Sequence, residues 1–116
     1  MRWEDVSALG CRLPGVCEGR AFGAKALAVR GAIVARLLDD RKSIAVKVDL
    51  DRRQALCESN PTAFIVPPEL QNYSMMAVRP AAISPDELWP VLLASWRRSA
   101  PPSLVAAEDP PDRAPS

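Results

Sequence analysis

Four cations, Arg30, Arg36, Lys47 and Arg79, stand in or beside short apolar runs at spacings that put them on one side of a β-sheet. Cationic side chains gathered on one surface are the chemistry of anion binding, with nucleic-acid phosphate the leading ligand. Tyr73 lies in a loop before the strand that ends at Arg79, where its ring is placed to stack on a base.

Other chemistry has little to stand on. The chain has no histidine, so the commonest general base and the commonest metal ligand are missing. Cys11, Cys17 and Cys57 are odd in number, lack a CxxC spacing and cannot form a structural zinc site by themselves. They are expected to be reduced, buried and apolar in role. Gly15, Gly19 and Gly23 recur at four-residue intervals, but no Gly-Lys-Ser/Thr follows to make a phosphate loop. The carboxylate pairs Asp39-Asp40, Asp49/Asp51 and Asp86-Glu87 fall at turns and helix starts, where capping accounts for them. No catalytic residue, metal site or cofactor is therefore expected, and the chain reads as a non-enzymatic binding module.

The elements that must position the cations follow from periodicity. With 116 residues, 48% hydrophobic and 25% charged, the chain has room for one domain and one core. Val6, Leu9, Gly10 and Leu13 form the stripe of a first helix, stopped by Pro14-Gly15. Apolar runs at 27–30, 33–38 and 44–48, separated by Gly31-Ala32 and by the polar stretch 39–42, read as an antiparallel meander. Phe22 is assigned to a further edge strand or to the core. Asp49 caps a second helix bearing Leu50, Arg53, Leu56 and Cys57, which Asn60-Pro61 ends. Strands at 63–66 and 75–79 follow.

Ser84-Pro85-Asp86-Glu87 is a capping box that opens a third helix. Leu88, Val91, Leu92, Ser95 and Trp96 form its inner face, and Arg97-Arg98 complement its C-terminal end. Pro90 is expected to kink this helix or delay its regular part. The predicted class is α+β: a two-layer fold with helices on one face of an antiparallel sheet, in the order α, three or four strands, α, two strands, α. Residues 1–99 form the domain, and the proline-rich stretch 100–116 is expected to be a disordered tail.

Several small motifs in register carry a resemblance. Leu13-Pro14-Gly15-Val16, Glu18-Gly19, Val29-Arg30-Gly31, Ala35-Arg36-Leu37 and Val46-Lys47-Val48-Asp49 come first. Phe64 with Val66-Pro67, Val78-Arg79, and Asp86-Glu87-Leu88 with Trp96-Arg97 complete the series. Over about residues 3 to 99 the chain resembles the YjbR-like (MmcQ/YjbR) family. The resemblance implies a compact α+β fold of the CyaY-like, double-wing type, similar to frataxin-like two-layer sheets. It also implies DNA binding, with no catalytic residue to carry over. Relatives place histidine or aromatic residues before the last strand. Here that segment is Glu69-Leu70-Gln71-Asn72-Tyr73-Ser74-Met75, which keeps only Tyr73, and Pro90 stands where relatives prefer a helix former.

Strand phase then sorts the faces. Leu27, Val29, Ile33, Ala35, Leu37, Ile44, Val46, Val48, Met76 and Val78 would form the core face. Ala28, Arg30, Val34, Arg36, Leu38, Ala45, Lys47, Met75, Ala77 and Arg79 would form the open one, whose charges are all positive. Of 15 Lys and Arg and 14 Asp and Glu, Arg113 and the acids Glu108, Asp109 and Asp112 fall in the tail, leaving residues 1–99 at about +3. If all four strand cations displaced counterions from duplex DNA, affinity would fall about a hundredfold between 50 and 200 mM salt.

Two further readings stand beside nucleic-acid binding. A charged outer face is also what keeps an antiparallel sheet solvated and apart from its neighbours. Alternatively the same face, with an aromatic rim from Trp3, Phe22, Tyr73 and Trp89, would hold a protein segment or sequester a planar small molecule. The opening residues carry Trp3, Glu4 and Asp5 where a leader's apolar stretch would sit, and no apolar run is long enough to span a bilayer. A cytoplasmic location is expected, without membrane association.

Overall fold

A computed structural model describes residues 1–115. Helix α1 (Trp3–Gly10) leads into strands β1 (Val16–Ala21), β2 (Ala24–Val29), β3 (Ala32–Leu37) and β4 (Ile44–Lys47). Helix α2 (Leu50–Ser59), strands β5 (Phe64–Ile65) and β6 (Met75–Val78), and helices α3 (Pro85–Ser99) and α4 (Pro102–Glu108) complete the fold. The six strands form one sheet of order β1-β2-β3-β4-β6-β5, every neighbouring pair antiparallel. The fold is α+β, as the sequence predicts. Among the described residues no helix is long and apolar enough to cross a membrane.

Helices α1, α3 and α4 cover one face of the sheet. Val6, Leu27, Val29, Ile44, Val46, Met76, Val78, Leu88, Leu92 and Trp96 are buried together there, joined by Leu104 from α4. The close fit of α1 depends on Gly10, because a Cβ at that position would stand 2.4 Å from Leu27 Cδ1. The helix ends at Gly10, before Pro14-Gly15, and Leu13 turns back into the core.

The Ser84 capping box is present with both bonds. Glu87 N donates to Ser84 Oγ (3.2 Å) and Ser84 N to Glu87 Oε1 (3.1 Å). Pro90 interrupts nothing, and α3 runs on to Ser99. It stands early in the helix, so the acceptor it strands is the carbonyl of Asp86 on an exposed turn, where water substitutes.

Three indoles tie the helical layer to separate pieces of chain. Trp3 Nε1 donates to Glu18 Oε1 on β1, Trp96 Nε1 to the carbonyl of Pro14, and Trp89 Nε1 to the carbonyl of Pro111.

The structure departs from the sequence-based expectations in several places. The stretch expected to be a disordered tail forms α4, which buries Leu104, and Arg97 then pairs with Asp109 (2.8 Å) and Asp112 (3.5 Å). Proline at the first helical position opens α4, and Leu104 docks beside Gly15, so the proline-rich composition conceals one short amphipathic turn pair. Strand β1 precedes the first predicted run. Its small and charged residues leave only Val16 buried, so it lacks an apolar alternation to be recognised by.

Phe22 belongs neither to a strand nor to the core. With Gly23 it forms a two-residue hairpin turn in which both residues have positive φ. Ile33 leaves the core face because Val34 is an extra residue in β3 at a bulge opposite Leu27/Ala28. That bulge pairs Ile33 with Ala28 and turns it outward. Cys11 and Cys17 are exposed and Cys57 half-buried, one just past a helix end and one on the edge strand.

Candidate groove on the open face of the sheet

The face opposite the helices is only partly covered. The 68–70 turn folds Leu70 over Ala45 and Ala77 and buries all three. Beside this small second core lies a groove of about 530 Å³, within the range of small-ligand sites. Its floor is apolar: Ile33, Val34, Ala45, Leu70 and Met75. Arg36, Lys47 and Glu69 are its charged lining, and Phe22 and Tyr73 its aromatic lining.

Strand pairing sets where the cations stand. Arg36 pairs with Ala26 on one side and Ala45 on the other, and Lys47 with Met75, so both project from the open face. Among the described residues neither meets a carboxylate within ion-pair distance. The Arg36 guanidinium lies 5.1 Å from the centre of the Phe22 ring, a cation–π contact that draws the hairpin tip over the groove. Burial, with the positive charge of Arg98 adding to it, pushes the Lys47 ammonium below its ordinary pKa.

A hydroxyl from the helical layer shapes this end of the sheet. Lys47 N donates to Ser95 Oγ (3.0 Å), and Ser95 Oγ donates to the carbonyl of Val34 (2.6 Å). The side chain stands where β3 and β4 would otherwise make their next rung, since their pairing ends at Ala35↔Val46. The bulge at Val34 and the outward turn of Ile33 belong to the same opening.

The loop that carries Tyr73 is held from α2. Arg53 Nη1 donates to the carbonyls of Tyr73 (2.9 Å), Met75 (3.1 Å) and Leu70 (3.4 Å), and Nη2 to that of Gln71 (3.4 Å). A planar fork with several donors suits such a cluster of carbonyls. Arg53 therefore sets the position of Tyr73 without lining the groove.

The five residues singled out from the sequence divide into two sets. Arg36, Lys47 and Tyr73 line the groove together. Arg30 sits at φ 47 in the Arg30-Gly31 turn, where strand alternation no longer governs its direction, and only Gly31 reaches the groove. Arg79 lies past the far end of β6 from Lys47, at the start of the 80–82 turn, and borders a different cavity with Met1, Arg41 and Lys42. Its charge helps hold the nearby Asp40 carboxyl below its usual range, after the N–H of Lys42, the leading cause.

Of the proposed aromatic rim, Trp3 and Trp89 are buried, whereas Phe22 is 84% and Tyr73 62% exposed. Sequence reasoning named Phe22 for the rim but missed the turn that carries it, and it missed Arg53 as the anchor of the Tyr73 loop and Glu69 in the groove lining. A two-residue X-Gly turn, Phe22-Gly23, between short runs was the available signal for the first. The other two depend on long-range folding and leave no local mark. Among the described residues no three His, Cys, Asp or Glu side chains gather in a way that could hold a metal ion.

No protein-family model and no curated protein matches the chain. A solved structure does. The crystal structure of protein DR2400 from Deinococcus radiodurans, a DUF419 domain, superposes with a TM-score of 0.70 at 17% identity. The match covers 97% of this chain and 91% of that one. The chain shares that protein's fold. At this identity the similarity concerns architecture alone, and the groove must be read from its own residues.

Proposed function

We propose that the open face of the sheet is a non-enzymatic binding platform for single-stranded nucleic acid, in a cytoplasmic protein of the YjbR-like family. The observation that carries this reading is that Phe22 and Tyr73, both solvent-exposed, share one groove with Arg36 and Lys47. Exposed rings stack on unpaired bases, and cations between them meet the backbone phosphates. The motif resemblance supports the nucleic-acid class. The aromatic pair favours single strands, because a duplex keeps its bases stacked inside.

Fluorescence anisotropy with short single-stranded and duplex DNA tests the proposal. With two participating cations, single-strand affinity is expected to fall roughly five- to tenfold between about 50 and 200 mM salt. Phe22→Ala and Tyr73→Ala should each cost about 1–3 kcal/mol. Absence of single-strand binding at low salt overturns the proposal.

The apolar floor favours a second reading, in which a protein segment or planar small molecule lies on Ile33, Ala45, Leu70 and Met75 against the same rim. Ligand binding that is indifferent to salt and unchanged in Arg36→Ala/Lys47→Ala selects it.

A further inference from the structure

The two edges of the sheet are built differently. β5 offers two residues, Phe64–Ile65, and very short edge strands recruit little. β1 runs from Val16 to Ala21, with Cys17, Glu18, Gly19 and Arg20 all exposed.

Its backbone polarity follows from the turns. The two-residue Phe22-Gly23 turn closes on Ala21 and Ala24 as a hydrogen-bonded pair. Counting from that pair, Cys17 and Gly19 aim their N–H and C=O groups at β2, and Glu18 and Arg20 aim theirs outward. The far side of β2 gives the same answer. Val29 closes the Arg30-Gly31 turn with Ala32, so its backbone groups serve β3 and leave Val16 facing out.

Gly19 is an independent sign. Glycine inside a strand weakens it and marks a bulge or a close backbone approach. Here the β1–β2 register is regular through Gly19↔Ala26, its φ lies outside the left-handed range, and a Cβ there would meet nothing within 4 Å. Nothing in the chain's own fold requires a glycine at this place.

We infer that β1 pairs with β1 of a second copy of this chain, antiparallel about a two-fold axis at Gly19. Glu18 then faces the partner's Arg20 in a hydrogen-bonded pair, and Arg20 faces the partner's Glu18. Every outward N–H and C=O of these two residues gains a partner. Gly19 meets the partner's Gly19 at the non-hydrogen-bonded position, where strands approach most closely, about 4.5 Å between Cα atoms.

Charge selects this register. Sliding the strands to the neighbouring hydrogen-bonded alignments opposes Glu18 to the partner's Glu18, or Arg20 to the partner's Arg20, and like charges directly opposite are unfavourable. Glu18 already accepts from Trp3 Nε1, but a carboxylate retains further lone-pair sites for a guanidinium. The two-fold leaves both open faces on one side, so the grooves of the two copies share one continuous surface.

Analytical ultracentrifugation of the full chain, under reducing conditions and up to concentrations used for NMR, tests the pairing. The expected mass at high concentration is twice the 12.6 kDa of the chain, with association weakened by salt. Arg20→Glu should leave a monomer, and Glu18→Arg/Arg20→Glu should restore the dimer by reversing both charges.

The register has its own readout, which does not depend on altering either charge. In a Cys11→Ser/Cys57→Ser background, Ala21→Cys places a thiol opposite the partner's Cys17, so mild oxidation should give a covalent dimer on a non-reducing gel. A wild-type chain that stays monomeric throughout overturns the inference, and Glu18 and Arg20 are then guards of a free edge. A dimer unaffected by Arg20→Glu, or one that fails to cross-link at these positions, overturns it equally.

Discussion

Two single side chains shape the groove: Arg53 holds the loop that carries Tyr73, and Lys47 supplies a cation to the lining. The Arg53 guanidinium holds the carbonyls of Leu70, Gln71, Tyr73 and Met75 in one cluster. Arg53→Ala removes the donors, and Arg53→Lys cannot span the cluster with a point charge. Both variants are expected to raise hydrogen exchange in the 70–75 loop and to lower single-strand affinity about as much as Tyr73→Ala, roughly 1–3 kcal/mol.

Lys47 carries a depressed pKa, chiefly from burial. For a base the sign is unfavourable to folding. The penalty is fully present below the folded pKa and is relieved as pH rises from there toward the unfolded value, because the unfolded chain binds more protons in that window. Lys47→Met should therefore raise the melting temperature at neutral pH while weakening nucleic-acid binding.

At the scale of elements, the junction of α3 with the sheet and the β3–β4 turn each depend on one polar side chain. Ser95→Ala removes the acceptor of the Lys47 N–H and the donor to the Val34 carbonyl at a fully buried site. The expected cost is about 1–3 kcal/mol in chemical denaturation. In the turn, the Asp40 carboxylate accepts from the N–H groups of Lys42 and Ser43 and from the Ser43 hydroxyl, at 2.9 Å each. Its pKa is lowered, first by the Lys42 N–H. The stability it contributes is thus present above the unfolded carboxylate pKa of about 3.9 and lost as pH falls through the lower folded value. Asp40→Ala should flatten the acid limb of a melting-temperature profile and leave its alkaline side unchanged.

These elements also show what a sequence can display. The α3 start was legible because a capping box is local, and β2 to β4 because turn residues bound their short apolar runs. The bulge at Val34 was hidden, since the Ser95 hydroxyl that bonds the Val34 carbonyl is distant in sequence. Phase reasoning places Arg36 and Lys47 on the open face because both stand within paired strands. It has no hold on Arg30, in a turn with positive φ, or on Arg79, beyond the last rung. Asp49 begins α2 as expected, yet its carboxylate pairs with Arg98 and makes no cap bond.

For the molecule as a whole, the C-terminal segment belongs to the packed unit. Leu104 is buried, and the Pro111 carbonyl receives the Trp89 indole N–H. Deleting residues 101–116 exposes the apolar surface beneath α4. It is expected to destabilise the chain by about 1.5–3 kcal/mol, the worth of one buried leucine, measurable by urea titration. A transition unchanged by the deletion would show that α4 rests on the surface without contributing to it.

The three tryptophans have a practical consequence. Each indole nitrogen donates across a different seam: Trp3 to the edge strand, Trp96 to the 11–15 connection, and Trp89 to the C-terminal segment. Variants retaining one indole at a time therefore provide three site-specific emission probes, with no dye attached. The Trp3 probe would report events at the β1 edge, and the Trp89 probe release of the terminal segment. Their separate transitions on heating would show whether the seams part together or in sequence.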